Sequence, residues 1–227
     1  MNLNTGYFVG SLILGIPWFA VYLLRKDLRK ELLFSSFAIL PFAFIAPFFI
    51  PEYWNPSYLF GFIPGFRIGI EDLLFSFFVG GIASVLFEFI ENKKEVKLKK
   101  LKFVRHYHFW PFVLGLTGIF LLEILFPSNT MFNLIYGALL TTVYVICFRK
   151  DLLTQALASG ILFSILYLSF FCLFNYLYPK YIAQVYTHSN LIGISIIGVP
   201  IEELLFAFVL GSAWSIFYEY ALNYKSK

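Results

Sequence analysis

Seven long apolar runs dominate the chain, at about 6 to 24, 31 to 50, 68 to 90, 107 to 126, 131 to 148, 153 to 178 and 191 to 221. Each is close to the roughly 20 residues a helix needs to cross the hydrocarbon of a bilayer. The runs are continuous rather than alternating, which favours helices over a barrel, because a lipid-exposed backbone must satisfy its own polar groups. With 60% hydrophobic and 13% charged side chains and a mean hydropathy of +0.79, a chain of 227 residues cannot hide its apolar surface in one soluble core. The expected fold is all-α: a polytopic membrane protein of about seven transmembrane helices. The first run has no basic segment before it and no small-residue cleavage site before Arg25, so it reads as a retained helix rather than a signal peptide.

Charge sets the orientation, since cytoplasmic loops collect Lys and Arg. With the N-terminus outside, one side holds Arg25, Lys26, Arg29, Lys30, the run from Lys93 to Arg105, Arg149, Lys150, Lys225 and Lys227; the other holds only Arg67 and Lys180. The count is 15 against 2, which places the C-terminus in the cytoplasm and the chain in the cytoplasmic (inner) membrane. The net charge of +4 then reports topology and contact with anionic membrane lipid, and no nucleic-acid binding. The polar stretch from 91 to 105 reads as a solvated loop touching headgroups. Cys147 and Cys172 read as packing residues within helices. His106, His108 and His188 are too scattered for a metal site.

The chain repeats itself. "IEDLLFSFFVGGIASVLFEF" (70 to 89) and "IEELLFAFVLGSAWSIFYEY" (201 to 220) share nine of twenty positions without a gap, and "RKDL" occurs at 25 to 28 and again at 149 to 152. Residues 1–95 and 129–227 therefore form two three-helix repeats, joined through a basic loop and a fourth helix in 96–128. One connecting helix gives both repeats the same orientation, so they are parallel, related by a pseudo-two-fold axis along the membrane normal.

That symmetry pairs Glu71 and Asp72 with Glu202 and Glu203. Counting about 1.5 Å per residue from the cytoplasmic ends puts both pairs about 30 Å away, towards the outer part of the hydrocarbon. Acids in a helix's first turn favour its dipole by about 0.3 to 1 kcal/mol, so capping alone is one reading. An acidic side chain inside the bilayer costs up to about 2.5 to 3.5 kcal/mol, and Ser or Asn would cap for less, which favours a functional site. Adjacent residues point about 100° apart, so one acid of each pair faces a common groove while the other holds or orients it. Two facing carboxylates in a dry cavity cannot both ionise readily, which sets an acid beside a base. Phe75, Phe78, Phe206 and Trp214 on the same helices offer ring faces that stabilise positive charge without attacking it, although most rings in such a chain pack the core or face lipid. Asn55, in "YWNP", is within reach of the acids from above.

An acidic pair after Pro, followed by Leu-Leu-Phe and placed in two three-helix repeats, resembles the small integral-membrane lycopene cyclases, in their single-chain fused form. The resemblance runs through "RKDL", "YWNP", "IGIEDLLFSFFVGGIASVLFE" and "IGVPIEELLFAFVLGSAWSIFYE". It implies a lycopene β-cyclase: an acid protonates the terminal double bond of the linear ψ-end, the neighbouring double bond closes a six-membered ring on the cation, and a base removes a proton to leave a β-ionone ring, giving γ- and β-carotene. The implied substrate is lycopene or a related linear carotenoid. No strand followed by GxGxxG is present, so no flavin or nicotinamide cofactor is expected. The second repeat keeps Pro200 where the first has Gly69, which makes Glu202 and Glu203 the working pair and Glu71 with Asp72 the assisting one.

Other assignments are plainer. Glu88 and Glu219 read as interfacial, snorkelling or paired with the basic loops. Asp27 and Asp151 pair with adjacent arginines or cap the next helix. Glu123 has no assigned task. A proton-coupled transporter would also carry embedded acids, but would need polar residues through the depth of the bundle, and below the acids only small, apolar or serine residues occur. A non-catalytic partner subunit of a carotenoid enzyme is the third class, and the oligomeric state, a homo-oligomer included, stays open.

Overall fold

The computed structural model describes residues 3–93, 95–97, 109–127 and 130–226. The chain opens with α1 (Gly6–Leu24), then α2 (Arg29–Ala38), a 3-10 stretch (Leu40–Ile45) and α3 (Ala46–Phe49). The expected continuous helix over 31 to 50 is thus broken. Pro41 and Pro47 have no N–H for the carbonyls four residues earlier, and their rings crowd those carbonyls. α4 (Ile70–Ile90), α5 (Trp110–Leu125), α6 (Thr130–Phe148) and α7 (Leu153–Leu177) follow, with the short α8 (Tyr181–Val185) after them.

The last expected span, 191 to 221, starts late. Gly193, Ile197 and Gly198 adopt φ of +84°, +53° and +77°, which no helix tolerates, and a two-stranded hairpin (Ser195–Ile196 with Val199–Pro200) occupies the segment instead. α9 (Ile201–Ser215) begins after Pro200, and α10 (Phe217–Leu222) continues it past a break at Ile216. Six of these segments are long and apolar enough to cross a membrane, and α5, with 16 residues, is a shorter apolar helix. The chain is an all-α polytopic membrane protein.

Packing follows one plan twice. α1 and α2 lie on α4, α6 and α7 lie on α9, and α4 meets α9 at the centre. Buried Leu32, Ile82, Val85, Phe163 and Ile216 fill the space between these helices, while Leu23, Ile124 and Ile165 point outward. Between lipid-embedded helices there is little hydrophobic drive to associate, so close van der Waals fit has to hold them. At Gly211 an added Cβ would lie 2.9 Å from the Ser159 carbonyl oxygen and 2.7 Å from Phe163 Cβ, so only glycine lets α9 approach α7 this closely. α5 is tied to α6 by Glu123, which accepts from Thr130 Oγ1 at 2.7 Å and from Asn133 Nδ2 at 2.9 Å. The sequence alone assigned Glu123 no task.

The two RKDL turns are clamps. Arg25 pairs with Asp27 at 2.8 Å and donates to the Lys93 carbonyl at 2.6 Å; Arg149 pairs with Asp151 at 2.9 Å and donates to the Tyr224 carbonyl at 3.1 Å. Each arginine thereby caps carbonyls just beyond its own repeat's third helix. Two short strands, Glu95–Lys97 and Tyr224–Ser226, pair antiparallel beyond these points, so α4 and α9 run parallel with their C-terminal ends together. Most of the basic run from 93 to 105, with His106 and His108, lies outside the described residues.

Candidate active site

The acids stand in the first turns of α4 and α9, and their environments separate the members of each pair. Glu71 and Glu202 turn towards the loops that precede their helices. Glu71 Oε1 accepts the Leu59 N–H at 2.8 Å, and Glu202 Oε1 accepts the Ile192 N–H at 2.5 Å; both side chains are fully buried. Asp72 and Glu203, about a quarter-turn on, face a common cavity of about 200 Å³.

Tyrosines hold both of these inner acids. Asp72 Oδ1 accepts the hydroxyls of Tyr7 at 2.7 Å and Tyr58 at 3.2 Å, and Oδ2 accepts the Gly69 N–H at 2.8 Å, which closes a capping box at the start of α4. Glu203 Oε1 accepts Tyr53 at 3.0 Å and Tyr186 at 2.9 Å, and Oε2 accepts Tyr167 at 3.2 Å. Tyr53 and Tyr186 lie in the loops between spans. Burial pushes their hydroxyls above the usual tyrosine range, the Glu203 carboxylate adds to it, and they stay protonated as donors. Burial, then Asp72, does the same to Tyr58.

Two loops bring these donors in. The Asn55 N–H donates to the Val185 carbonyl at 2.7 Å and the Thr187 N–H to the Tyr53 carbonyl at 2.9 Å, so the loop of each half is stitched to the other above the cavity. Below, the wall is aromatic. The Tyr7 ring stands 4.7 Å from Trp54 and 6.4 Å from Phe75, and Tyr167 lies 6.5 Å from Phe75 and 6.1 Å from Phe206, forming a continuous ring-lined path between the acids. The cavity continues along α9 to Trp214, about 16 Å from Glu203 at 1.5 Å per residue, where Phe112 stands edge-on to the indole. The broken segment that leads into α3 forms one side, through Phe42, Ala43 and, at the start of α3, Ala46.

Of the residues singled out from sequence, Asp72, Glu203, Phe75, Phe206 and Trp214 line this cavity. Glu71 and Glu202 sit behind their neighbours as loop anchors. Phe78 lies outside it, packed on Trp18 and Phe77 and against Gly15. Asn55 is exposed and bonds through its backbone. Tyr7, Tyr53, Tyr58, Tyr167, Tyr186 and Trp54 were not singled out. A signal existed: a tyrosine such as Tyr167, inside the apolar run "ILFSILYLSFF", carries a hydroxyl that must find an acceptor within the protein.

A second group of acids sits at the other end. Glu31, Glu88 and Glu219 are fully buried, with one carboxylate oxygen of each within 4.8 Å of the others. Gln155, the counterpart of Glu31 in the second repeat, donates to Glu219. Glu88 and Glu219 are therefore interior residues rather than snorkelling ones: the helix ends that carry them converge where the RKDL clamps close. Glu88 stands about 24 Å along α4 from Asp72, so the cluster takes no part in the cavity.

Fold and site together define a helical membrane protein with a ring-lined chamber into which one carboxylate from each half opens. The family model for lycopene cyclase matches residues 4–90 and 129–221, two regions that each contain one acidic pair. The chain belongs to the lycopene cyclase family, whose members act on linear carotenoids. No curated protein and no solved structure matches it.

Proposed function

We propose that the protein converts the linear ψ-ends of lycopene to β-ionone rings by proton-initiated cyclisation within the membrane, without a cofactor. One observation carries the reading: Asp72 from the first half and Glu203 from the second open into the same aromatic-lined cavity, each held by tyrosine hydroxyls. One acid protonates the terminal double bond, the next double bond closes the ring on the resulting cation, and the other acid's carboxylate removes the proton that leaves the ring unsaturated. Phe75, Phe206 and Tyr167 surround this point, where ring faces favour a cation and exclude water. Glu71 and Glu202 hold the loops that bring the tyrosines in. The long apolar arm of the cavity towards Trp214 suits the rest of a polyene entering from lipid.

In this reading residues 1–95 and 129–227 are the two repeats, with the acids near the outer face, the N-terminus outside and the C-terminus in the cytoplasm. The basic residues, 15 on one side and 2 on the other, support that orientation.

The test is pigment analysis after expression in lycopene-accumulating cells, followed by conversion of lycopene by the purified protein and by its Glu202→Gln and Glu203→Gln variants. γ- and β-carotene from the unaltered chain, and their loss with Glu203→Gln, are expected. A folded, membrane-inserted protein that leaves lycopene unchanged would overturn the reading.

A further inference from the structure

The two inner acids occupy matching positions, three residues after Gly69 and three after Pro200, yet they are not held alike. Gly69 has an N–H and gives it to Asp72 Oδ2 at 2.8 Å. Pro200 has none, so no such bond can form at Glu203. Among the described residues, the three donors to Glu203 are all hydroxyls, from Tyr53, Tyr167 and Tyr186. The difference is chemical as well as geometric. A backbone N–H only donates, and it favours an anionic acceptor; a tyrosine hydroxyl donates or accepts, so it serves a carboxylate and a carboxylic acid equally well. Asp72 is thus matched to the charged state, while Glu203 can gain or lose a proton with every neighbour remaining bonded. Freed from the cap, the longer glutamate also reaches into the cavity between three separate elements.

We propose that Pro200 sets the direction of proton flow: by withholding a cap from Glu203 it makes that residue the proton donor, while Gly69 keeps Asp72 as the carboxylate that accepts the ring's proton. This rests on the cyclase reading above and assigns roles within it. Glu203 gives its proton to the terminal double bond, whose electron pair becomes the new C–H bond. The neighbouring double bond supplies the pair for the ring C–C bond and leaves the positive charge on a ring carbon. Asp72 removes a proton from the adjacent ring carbon, and that C–H pair becomes the ring double bond. Glu203 ends ionised and Asp72 protonated; return of that proton from Asp72 to Glu203 restores the site, and no other reactant is consumed. Pro200 is a positioning residue, acting through Glu203.

The test uses the full-length protein with lycopene in D2O. Isotope uptake into pigment reports protonation of the substrate, and the ring isomers formed report its deprotonation. Glu203→Gln is expected to abolish deuterium uptake. Asp72→Asn is expected to retain uptake while slowing formation of the β ring at least tenfold and yielding other ring isomers or water-trapped alcohols. Pro200→Ala restores an N–H at the cap and is expected to lower kcat at least tenfold with KM for lycopene unchanged, whereas a merely structural proline would move thermal stability and KM instead. Uptake lost in Asp72→Asn but kept in Glu203→Gln reverses the assignment and overturns the proposal. Equal loss in both isosteric variants also overturns it, as does unchanged kcat in Pro200→Ala. Absence of cyclisation by the unaltered protein would instead defeat the cyclase reading itself.

Discussion

Tyr53, in the loop that follows the second span of the first half, donates its hydroxyl to Glu203 Oε1 of the second half at 3.0 Å, across 150 positions of sequence. The bond joins the halves at the acid itself, and neither repeat could assemble this site alone. Removing the hydroxyl leaves the ring in place and deletes one donor to a buried carboxyl group. Hydrogen bonds to charged groups are worth about 1.5 to 3 kcal/mol. Tyr53→Phe is therefore expected to slow cyclisation by about tenfold to a hundredfold with little change in fold, measured as initial rates on lycopene. A rate equal to that of the unaltered protein would remove Tyr53 from the site.

The loop tyrosines also predict a pH dependence. Burial raises Tyr53, Tyr58 and Tyr186 in the folded state above their ordinary value, so the folded protein holds their protons more tightly than the unfolded chain does. The stability this represents is fully present below the unfolded tyrosine value of about 10 and is lost as pH rises beyond it. Absorbance of tyrosinate should therefore grow in two stages on alkaline titration. The later stage is the buried group, which titrates only as the protein unfolds. A single stage near the ordinary value would contradict the buried donors.

The acidic pairs, the recurring RKDL and the apolar spans stand out in the sequence because each is local: two charges in an apolar run, a tetrapeptide seen twice, a hydropathy signal about 20 residues long. What was not legible came from afar or from the backbone. The register set by the two RKDL turns pairs Tyr7 with Met131 and Tyr167 with Ala43, so the donors to the acids do not repeat even though the acids do. Internal symmetry consequently pointed away from them. Tyr53 and Tyr186 reach Glu203 only because two loops are stitched together, which no spacing encodes. The helix break before α3 was foreseeable from Pro41 and Pro47, and the hairpin before α9 from its glycines. In both cases apolar composition masked the backbone signal, since lipid-facing and cavity-lining residues look alike.

The two members of the second acidic pair should fail differently. Glu202 binds the Ile192 N–H and lies behind the cavity wall, whereas Glu203 lines it. Glu202→Gln keeps the size and an acceptor oxygen but weakens a charge-assisted bond, so a stability loss of about 1 kcal/mol is expected, with partial activity retained. Glu203→Gln should leave stability nearly unchanged and reduce turnover at least a hundredfold. Thermal unfolding in detergent, run beside the pigment assay, separates the two, and identical behaviour would dissolve the distinction between anchor and reacting acid.

Close approach of α7 and α9 carries its own expectation. Gly211→Val forces its side chain against the Ser159 carbonyl and Phe163, neither of which is the free end of a flexible chain. Overpacking of this kind costs about 1 to 3 kcal/mol, and in a lipid-embedded pair no hydrophobic gain offsets it. The variant should unfold at lower temperature in detergent. Gly118, on α5, has open space around it, and Gly118→Ala should be tolerated in the same measurement.

Phe206 and Phe78 offer the sharpest contrast among the rings. Phe206 lies one helical turn beyond Glu202, lines the cavity, and stands 6.1 Å from Tyr167, beside the acid that Tyr167 holds. Phe78 is buried on another face of α4, its ring against Gly15 and Trp18. Replacing either by Leu keeps most of the apolar volume and removes the ring face. A desolvated cation over such a face is stabilised by about 2 kcal/mol, so Phe206→Leu should lower kcat by about thirtyfold while leaving KM for lycopene nearly unchanged, because the cation exists only after protonation. Phe78→Leu should cost stability and leave kcat intact. Equal kcat losses in both variants would show that packing, rather than charge, is what these rings supply, and the cation-stabilising role of the cavity wall would fall.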